Sequence, residues 1–217
     1  MIYIVNYGAG NMRSICRSIE YLNFEYKIIK SLSEIGNDSI ILIPGVGSFN
    51  TSALNLKKGG FNKIASMDLR KRPFIIGICL GMQLLFTKGY EGGESEGLNL
   101  IKGNVKKIPR LNNNINKINA TLIGWETYKA DSPLTIPKWI KEYENSSFYH
   151  IHSYMCIPDE KKFIYATYPG ELSFIPTIVG STEDKVYGFQ FHPEKSGEKG
   201  LSLLNDAINE AYEALRC

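Results

Sequence analysis

The stretch that decides the fold is FIIGICLGMQ, residues 74–83. Its apolar start predicts a buried strand, the Gly-x-Cys-x-Gly pattern predicts a sharp turn, and the residues that follow predict a helix. This order is the thiol counterpart of the nucleophile elbow, in which the turn lifts a reactive side chain above the end of a sheet. Cys79 would then lie at a helix N-terminus, where free N–H groups favour a thiolate. The alternative from this stretch alone is a buried strand cysteine before an ordinary turn.

The remainder of the chain extends the pattern in both directions. Upstream, short apolar runs alternate with helical spacing, as in Ile15, Ile19 and Leu22, which is typical of a mainly parallel sheet flanked by helices. Downstream of Gly89 the pattern favours an additional antiparallel portion and a closing amphipathic helix. The prediction is a single α/β domain over residues 1–217. We expect strands at 1–6, 24–29, 39–43, 74–78, 99–108, 118–125, 147–151, 163–168, 176–180 and 186–191, and helices around 15–22, 51–70 with a break at Gly59-Gly60, 80–88 and 201–215.

Composition and charge exclude several classes of protein. With 25 Lys and Arg against 22 Asp and Glu, the formal net charge is +3, and hydrophobic residues make up 43% of the chain. Such a chain can bury a core and is not disordered. The basic residues are spread out, and the densest run, 69–73, favours a solvated loop over a nucleic-acid site. The apolar stretch 74–86 is too short to cross a bilayer, and no secretory signal is visible, so we expect no membrane contact and a cytoplasmic location.

The cysteines are scattered, with no pair at the spacing of a zinc site or a redox motif. They are Cys16, Cys79, Cys156 and Cys217. In a reducing compartment each is expected to be a free thiol, and only Cys79 has a sequence context that predicts chemistry.

A nucleophilic thiol needs a base, and the chain offers His150, His152 and His192. His192 directly follows an apolar strand and precedes Pro193 and Glu194. A carboxylate two residues away can orient the imidazole and stabilise its charged form, as the third member of a triad. His152 is the rival base. It has no carboxylate close in sequence, although a distant one stays open.

Glycine-rich turns supply the remaining candidates. The turn IPGVGSF, residues 43–49, follows a predicted strand and can present backbone N–H groups to an oxyanion, with the N–H of Leu80 as a second donor. Gly8-Ala9-Gly10 could be taken for a dinucleotide fingerprint. However, Arg13 occupies the third glycine position, and no acidic partner for a ribose is placed.

Three of these motifs, GICLGMQ (77–83), PGVG (44–47) and FHPE (191–194), together resemble the class I glutamine amidotransferases. More narrowly, YGAGN (7–11), IPGVGSF (43–49), EGL (96–98), HSY (152–154) and QFHPEKSG (190–197) resemble the glutaminase subunits of imidazole glycerol phosphate synthases. The resemblance covers essentially residues 1–217. It implies the class I amidotransferase fold and hydrolysis of glutamine to glutamate and ammonia, without a metal or an organic cofactor. It also implies a heterodimer with a (β/α)8-barrel cyclase of histidine biosynthesis, through which the ammonia passes.

The resemblance also assigns roles to residues. It implies that Cys79 attacks the side-chain amide, His192 relays the proton and Glu194 orients the imidazole. It places Val46, Gly47 and Leu80 around the oxyanion after a backbone rearrangement. It implies that the amino-acid end of glutamine is bound by Gln83, His152, Ser153 and Tyr154. At the partner surface, it implies an ammonia gate at Trp125 and Tyr149 and a contact with the barrel at Lys195.

One stretch departs from the family. The usual Pro-His-x-Gly-Trp-Asn reads TLIGWE at residues 121–126. A second hypothesis therefore keeps the glutaminase but gives it another client, a synthase that modifies a sugar, as in amidino-sugar assembly for surface glycans. A third, a non-catalytic scaffold, is disfavoured because Cys79, His192 and Glu194 are all present.

Overall fold

The computed structural model describes residues 1–8, 11–109, 111–113, 116–118, 121–130 and 136–216. Ala9 and Gly10 of the predicted glycine turn, and Cys217, lie outside the described residues. The strands are β1 (Ile2–Val5), β2 (Tyr26–Ile29), β3 (Ile40–Ile43), β4 (Phe74–Ile78), β5 (Phe86–Gly89), β6 (Ser95–Glu96), β7 (Ile101–Lys107), β8 (Leu111–Asn113), β9 (Asn116–Ile118), β10 (Leu122–Glu126), β11 (Lys129–Ala130), β12 (Phe148–His152), β13 (Tyr154–Pro158), β14 (Ile164–Thr167), β15 (Pro176–Ser181) and β16 (Val186–Phe189). The α-helices are α1 (Met12–Tyr21), α2 (Phe49–Lys58), α3 (Leu80–Leu84), α4 (Lys138–Glu142) and α5 (Gly197–Arg216).

An eight-stranded sheet in the order β11-β14-β15-β16-β4-β3-β1-β2 forms the centre of the structure. The strands from β16 to β2 pair in parallel, whereas β15, β14 and β11 continue the sheet in antiparallel fashion. A second sheet, β13-β7-β5-β6, and the antiparallel pair β10-β12 lie beside it. This architecture confirms the predicted α/β class with its antiparallel portion.

The central sheet is covered on both faces. Every residue of β4 is buried, which is expected of a parallel strand between two helical layers. Alternate side chains of β4 enter different clusters: Ile76 packs with residues of α1 and α5, and Ile75 packs with residues of α2 and α3. Strand β4 therefore ends at a fixed depth between two packed layers, and the residue that follows it has little freedom to move.

Some predicted elements differ from the structure. The helix predicted over 80–88 is wrong beyond Leu84, because residues Phe86–Gly89 form β5 and pair in parallel with β7. Gly59-Gly60 ends α2 as predicted, but a 3-10 helix, Phe61–Ser66, follows it. The sequence did not predict β5, β6, β8, β11, β13 or α4. No helix within the described part of the chain is both long enough and apolar enough to cross a membrane.

The topology brings three chain segments to one edge of the sheet. Strands β16, β4 and β3 are parallel neighbours, so their carboxyl ends lie side by side. The residues that follow them are the 190–194 segment, Cys79 and the 44–48 turn. The carboxyl edge of a parallel sheet is where α/β proteins commonly bind ligands.

Candidate active site

Cys79 occupies a strained turn between β4 and α3. Its backbone has φ 53° and ψ −109°, a conformation that residues other than glycine rarely adopt. Its N–H donates to the carbonyl of Phe189 at 2.6 Å, which ties the turn to β16. The flanking glycines are required by contact, since a Cβ on Gly77 would lie 2.5 Å from the carbonyl oxygen of Gly81, and one on Gly81 would overlap that of Ile43. The segment thus has the geometry of a nucleophile elbow.

His192 and Glu194 form a buried pair at the same edge. The Nδ1 of His192 lies 2.8 Å from Oε1 of Glu194, and their side chains are 0% and 2% exposed. The side-chain amide of Asn11 donates to the same carboxylate oxygen. Burial disfavours the charged imidazole, but the neighbouring Cys79 and Glu194 outweigh it and raise the pKa of His192 to about 9. Nε2 of His192 has no hydrogen-bond partner among the described residues, so it is available to exchange a proton.

His152, the rival base, has different surroundings. Its Nδ1 lies 2.8 Å from the carbonyl oxygen of Tyr154, and its Nε2 lies 2.8 Å from the hydroxyl of Tyr168. None of its hydrogen bonds within the described residues involves a carboxylate. Burial lowers the pKa of His152 to about 4. Its imidazole is therefore neutral at pH 7, and the electrostatics favour His192 as the proton carrier.

The glycine turn after β3 is held at both ends. The hydroxyl of Tyr7 donates to the carbonyl of Pro44, and the N–H of Phe49 donates to the Glu91 carboxylate at 2.7 Å. Between these contacts Gly47 has φ 131°, with open space where a Cβ would stand. A rearrangement of this turn is thus confined to the few residues between the two contacts.

A cavity of about 310 Å³ is lined by the elbow, the glycine turn and the segment around His152, whereas His192 and Glu194 do not line it. Cys79 and all seven residues assigned to the oxyanion or to the substrate line it, together with three residues that the sequence did not single out. The lining residues are Val46, Gly47, Cys79, Leu80, Gln83, Glu91, Thr121, Ile151, His152, Ser153 and Tyr154. Within the described ranges, no three His, Cys, Asp or Glu side chains are grouped to hold a metal ion.

Two buried glutamines connect the thiol to the cavity wall. The amide of Gln83 donates to the carbonyl of Tyr154 at 3.4 Å and to Oε1 of Gln190 at 3.3 Å. The amide nitrogen of Gln190 lies 3.8 Å from the Cys79 sulfur. Gln190 stood in a quoted motif without a role, and its contacts with residues far away in sequence could not be read from that motif.

The three residues assigned to a partner form an outer cluster. Trp125 of β10 is directly opposite Tyr149 of β12, and their ring centroids are 6.0 Å apart. Lys195 places its Nζ 6.0 Å from the centroid of the Tyr149 ring. Trp125 is 55% exposed, and Ile123 on the same strand is 65% exposed. This cluster does not line the cavity, but β12 continues from it to His152.

Comparison with known proteins agrees with this geometry. The model of the family described as glutamine amidotransferase class-I matches residues 3–211. The imidazole glycerol phosphate synthase subunit HisH of Caldanaerobacter subterraneus subsp. tengcongensis is 39% identical over 95% of this chain and 96% of its own length. The protein of that name from Lactococcus lactis is 39% identical over 96% and 98%.

A solved structure described as PurLQS from Thermotoga maritima has the same fold, with a TM-score of 0.71 at 18% identity, over 96% of this chain and 97% of that chain. The match of the family model over nearly the whole sequence, together with these relatives, establishes that the chain belongs to the class I glutamine amidotransferase family and, within it, to the HisH subunits of imidazole glycerol phosphate synthase.

Proposed function

We propose that residues 1–217 form one glutaminase domain that hydrolyses L-glutamine and delivers ammonia to a barrel cyclase, with which it forms a heterodimer in histidine biosynthesis. The observation that carries this proposal is the cavity with Cys79 on an elbow and the His192–Glu194 pair behind it. The names of the relatives support the pathway. The cytoplasm is the proposed compartment, and the free thiols at Cys16, Cys79 and Cys156 agree with it.

In the first half of the reaction, the Cys79 sulfur attacks the side-chain amide carbon of glutamine. A C–S bond forms, and the carbonyl electrons move to oxygen, which becomes an oxyanion. Val46, Gly47 and the N–H of Leu80 surround the position of that oxygen once the turn rearranges. His192 then gives its proton to the departing nitrogen, so ammonia leaves and a thioester remains.

In the second half, water attacks the thioester. His192, now neutral, takes a proton from the water as it adds to the carbonyl carbon. The C–S bond breaks, glutamate leaves, and the proton stays on His192 beside the regenerated thiolate. Glu194 keeps the ring oriented throughout, because its carboxylate accepts from Nδ1 in both halves.

Glutamine recognition uses the wall of the cavity opposite the thiol. Among the residues that line the cavity, Glu91 carries the carboxylate, and a carboxylate is the natural partner for the α-ammonium group of glutamine. Gln83, Ser153 and Tyr154 supply amide and hydroxyl groups and backbone N–H for the α-carboxylate. The same Glu91 carboxylate accepts from Phe49 at the start of α2, so substrate binding takes place directly beside the turn that must rearrange.

The proposed partner surface is the outer cluster of Trp125, Tyr149 and Lys195. An aromatic pair beside an exposed cation is typical of an interface core with a charged rim. Strand β12 links this surface to the triad, because the N–H of His192 donates to the carbonyl of Tyr149 at 2.9 Å. Docking on the cluster therefore acts on the backbone that holds the base.

A second client is favoured by one observation, the TLIGWE stretch at 121–126. The residues that depart from the family are Thr121, Leu122 and Glu126. Thr121 and Glu126 are exposed and Leu122 is half-buried, and Leu122–Glu126 form β10, the strand that also carries Trp125 of the proposed interface. A changed surface there suits a different synthase. The second candidate function is therefore supply of ammonia to a sugar-modifying synthase, with the same chemistry at Cys79.

The test is glutamate release from glutamine by the purified chain, alone and with a histidine-pathway cyclase barrel plus its nucleotide substrate. Strong stimulation supports both the chemistry and the pathway. If the barrel has no effect but a glutamine-analogue electrophile still labels Cys79, the sugar-pathway client takes precedence. If neither stimulation nor labelling occurs, the glutaminase proposal is wrong.

The interface has its own test in Lys195→Ala. Loss of the ammonium group above Tyr149 should reduce stimulation by the partner about tenfold, while labelling of Cys79 in the isolated chain is unchanged. Lys199→Ala, which removes an exposed lysine from the first turn of α5, serves as the matched control. Equal stimulation of both variants would remove Lys195 from the interface.

A further inference from the structure

A buried chain of polar groups runs behind the cavity and is not used by the mechanism above. The hydroxyl of Tyr168 lies 2.5 Å from Nδ1 of His150 and 2.8 Å from Nε2 of His152. Nδ1 of His152 lies 2.8 Å from the carbonyl oxygen of Tyr154. Tyr168, His150 and His152 are 1%, 1% and 6% exposed, so water cannot replace any partner easily.

The acceptor at one end of this chain fixes every proton in it. A carbonyl oxygen can only accept, so Nδ1 of His152 must carry a hydrogen. In a neutral ring Nε2 then has the lone pair, and the Tyr168 hydroxyl must donate to it. Because that hydroxyl has a single proton, His150 must donate from its own Nδ1 to the Tyr168 oxygen. Nε2 of His150 is left with a lone pair, and it has no hydrogen-bond partner among the described residues.

The neutral forms that this arrangement needs are the ones that burial favours. Burial lowers the pKa of His150 well below its ordinary value and that of His152 to about 4. Burial also raises the pKa of Tyr168, so its hydroxyl keeps its proton. The positive charge of His192 further disfavours protonation of both rings, and the nearby Glu126 and Cys79 further raise the pKa of Tyr168.

We propose that Tyr168 is a positioning residue for the glutaminase reaction: its hydroxyl donates to Nε2 of the Nδ1–H tautomer of His152 and holds that ring in place, and His152 thereby holds the Tyr154 carbonyl in place at the cavity. That carbonyl also receives the amide of Gln83, so one hydroxyl group sets the positions of two substrate-binding residues. Tyr168 itself does not line the cavity and acts through His152. This inference rests on the proposed function for its kinetic consequence, but not for the tautomer.

The kinetic test is Tyr168→Phe in the complex with the cyclase barrel. Loss of the hydroxyl removes the donor to His152 and the acceptor for His150 without removing the ring. We expect the KM for glutamine to rise about tenfold with kcat changed less than about twofold, because ground-state positioning is lost while the triad is intact. The matched control is Tyr187→Phe, which removes an equally buried hydroxyl that lies 2.8 Å from Thr182 Oγ1, away from the cavity. A KM that rises equally in both variants, or in neither, would overturn the proposal.

The structural test needs neither enzyme activity nor the Tyr168→Phe variant. Nitrogen-15 NMR of the imidazole rings at pH 7 distinguishes Nδ1–H from Nε2–H, and the chain contains only three histidines. We expect His150 and His152 both to be neutral Nδ1–H tautomers, assigned with His150→Phe. An Nε2–H tautomer at His152 would overturn the inference, whether or not Tyr168→Phe folds.

These two experiments separate the proposals from each other. If the barrel fails to stimulate glutamate release and Cys79 is not labelled, but both rings are Nδ1–H, the proposed function fails and the hydrogen-bond chain stands as a structural feature. If glutamine is hydrolysed normally but His152 is Nε2–H, the function stands and the positioning role of Tyr168 fails.

Discussion

His192 and His152 are both buried in the candidate active site, yet their surroundings give them opposite protonation. A carboxylate accepts from Nδ1 of His192, whereas a neutral carbonyl accepts from Nδ1 of His152. Burial lowers the pKa of His192, but Cys79 and this carboxylate together stabilise the imidazolium and raise the pKa to about 9. The carbonyl does not offset burial, and the pKa of His152 is lowered to about 4. The charged and hydrogen-bonding groups around each ring, more than its depth, therefore decide which histidine can carry a proton.

Exchanging each histidine for asparagine gives the largest expected contrast. His192→Asn removes the proton carrier and should lower kcat for partner-stimulated glutamate release by about 10⁵-fold, as loss of the base does in other triad hydrolases. His152→Asn keeps a donor near the position of Nδ1 and should raise the KM for glutamine with kcat lowered less than about tenfold. Steady-state kinetics of the two variants measures the contrast. If His152→Asn had the larger effect on kcat, the assignment of the base would be reversed.

Glu194→Gln tests whether the carboxylate contributes to the difference in pKa between His192 and His152. The amide can still accept from Nδ1 but carries no charge, so the pKa of His192 should fall below its value of about 9. We expect kcat to fall about 10³-fold, less than for loss of the imidazole. NMR titration of His192 and glutamate release are the two measurements.

The control for that variant is Glu198→Gln, which removes an exposed carboxylate from the first turn of α5. It should leave both the titration and kcat close to those of the unmodified chain. A Glu194→Gln variant that behaved like this control would show that Cys79, rather than Glu194, keeps the pKa of His192 raised.

The free energy of unfolding should also depend on pH, with opposite signs for His152 and His192. This effect is smaller than the changes in kcat. His152 has a folded pKa of about 4 against 6.5 in the unfolded chain, so the unfolded state binds more protons between these values. Stability should therefore fall as the pH drops from 6.5 to 4, by about 3 kcal/mol for this group. His192, with its raised pKa, contributes stability below pH 6.5 that is lost as the pH rises through about 9.

Urea unfolding at several pH values measures these slopes. His152→Asn should flatten the acid side of the curve, and Glu194→Gln should flatten the alkaline side. If neither variant changed its own side, other titrating groups would account for the pH dependence.

The local parts of this comparison could be predicted from the sequence, and the long-range parts could not. The elbow and the acid–base pair follow from motifs, because the residues that form each of them are close in sequence. Gly77 and Gly81 flank Cys79, and Glu194 lies two residues after His192. Tyr168, in contrast, directly follows β14, which belongs to a different sheet, and reaches His150 and His152 from there. Its partners are fixed only when β14 and β12 fold.

Long-range contacts also determine the position of Glu91 and the formation of β5. Glu91 lies in a loop of glycine and glutamate without periodicity, and only the fold brings it to Phe49 and the cavity. Phe86–Gly89 has no alternation that distinguishes a strand from the end of a helix. Its pairing with β7 decides the outcome, and that pairing is a tertiary interaction.

Ser196→Ala should give the smallest effect and extends the comparison to the partner surface. The Ser196 hydroxyl donates to the carbonyl of His192 at 2.6 Å and accepts from the N–H of Tyr149 at 2.9 Å. It is therefore a second connection between β12 and the base, in addition to the direct backbone hydrogen bond from His192 to Tyr149. No comparable connection is needed for His152, which belongs to β12 itself.

Because one of two connections is retained, we expect Ser196→Ala to reduce stimulation by the partner only about threefold. The ratio of glutamate release with and without the barrel measures this, and Ser66→Ala, which removes a serine hydrogen bond to the Lys63 carbonyl on the surface, is the control. A reduced ratio with unchanged resting activity would mean that docking reaches the base through the backbone around His192. A ratio equal to that of the control would leave the hydrogen bond from His192 to Tyr149 as the connection that matters, and the coupling would then depend on strand β12 alone.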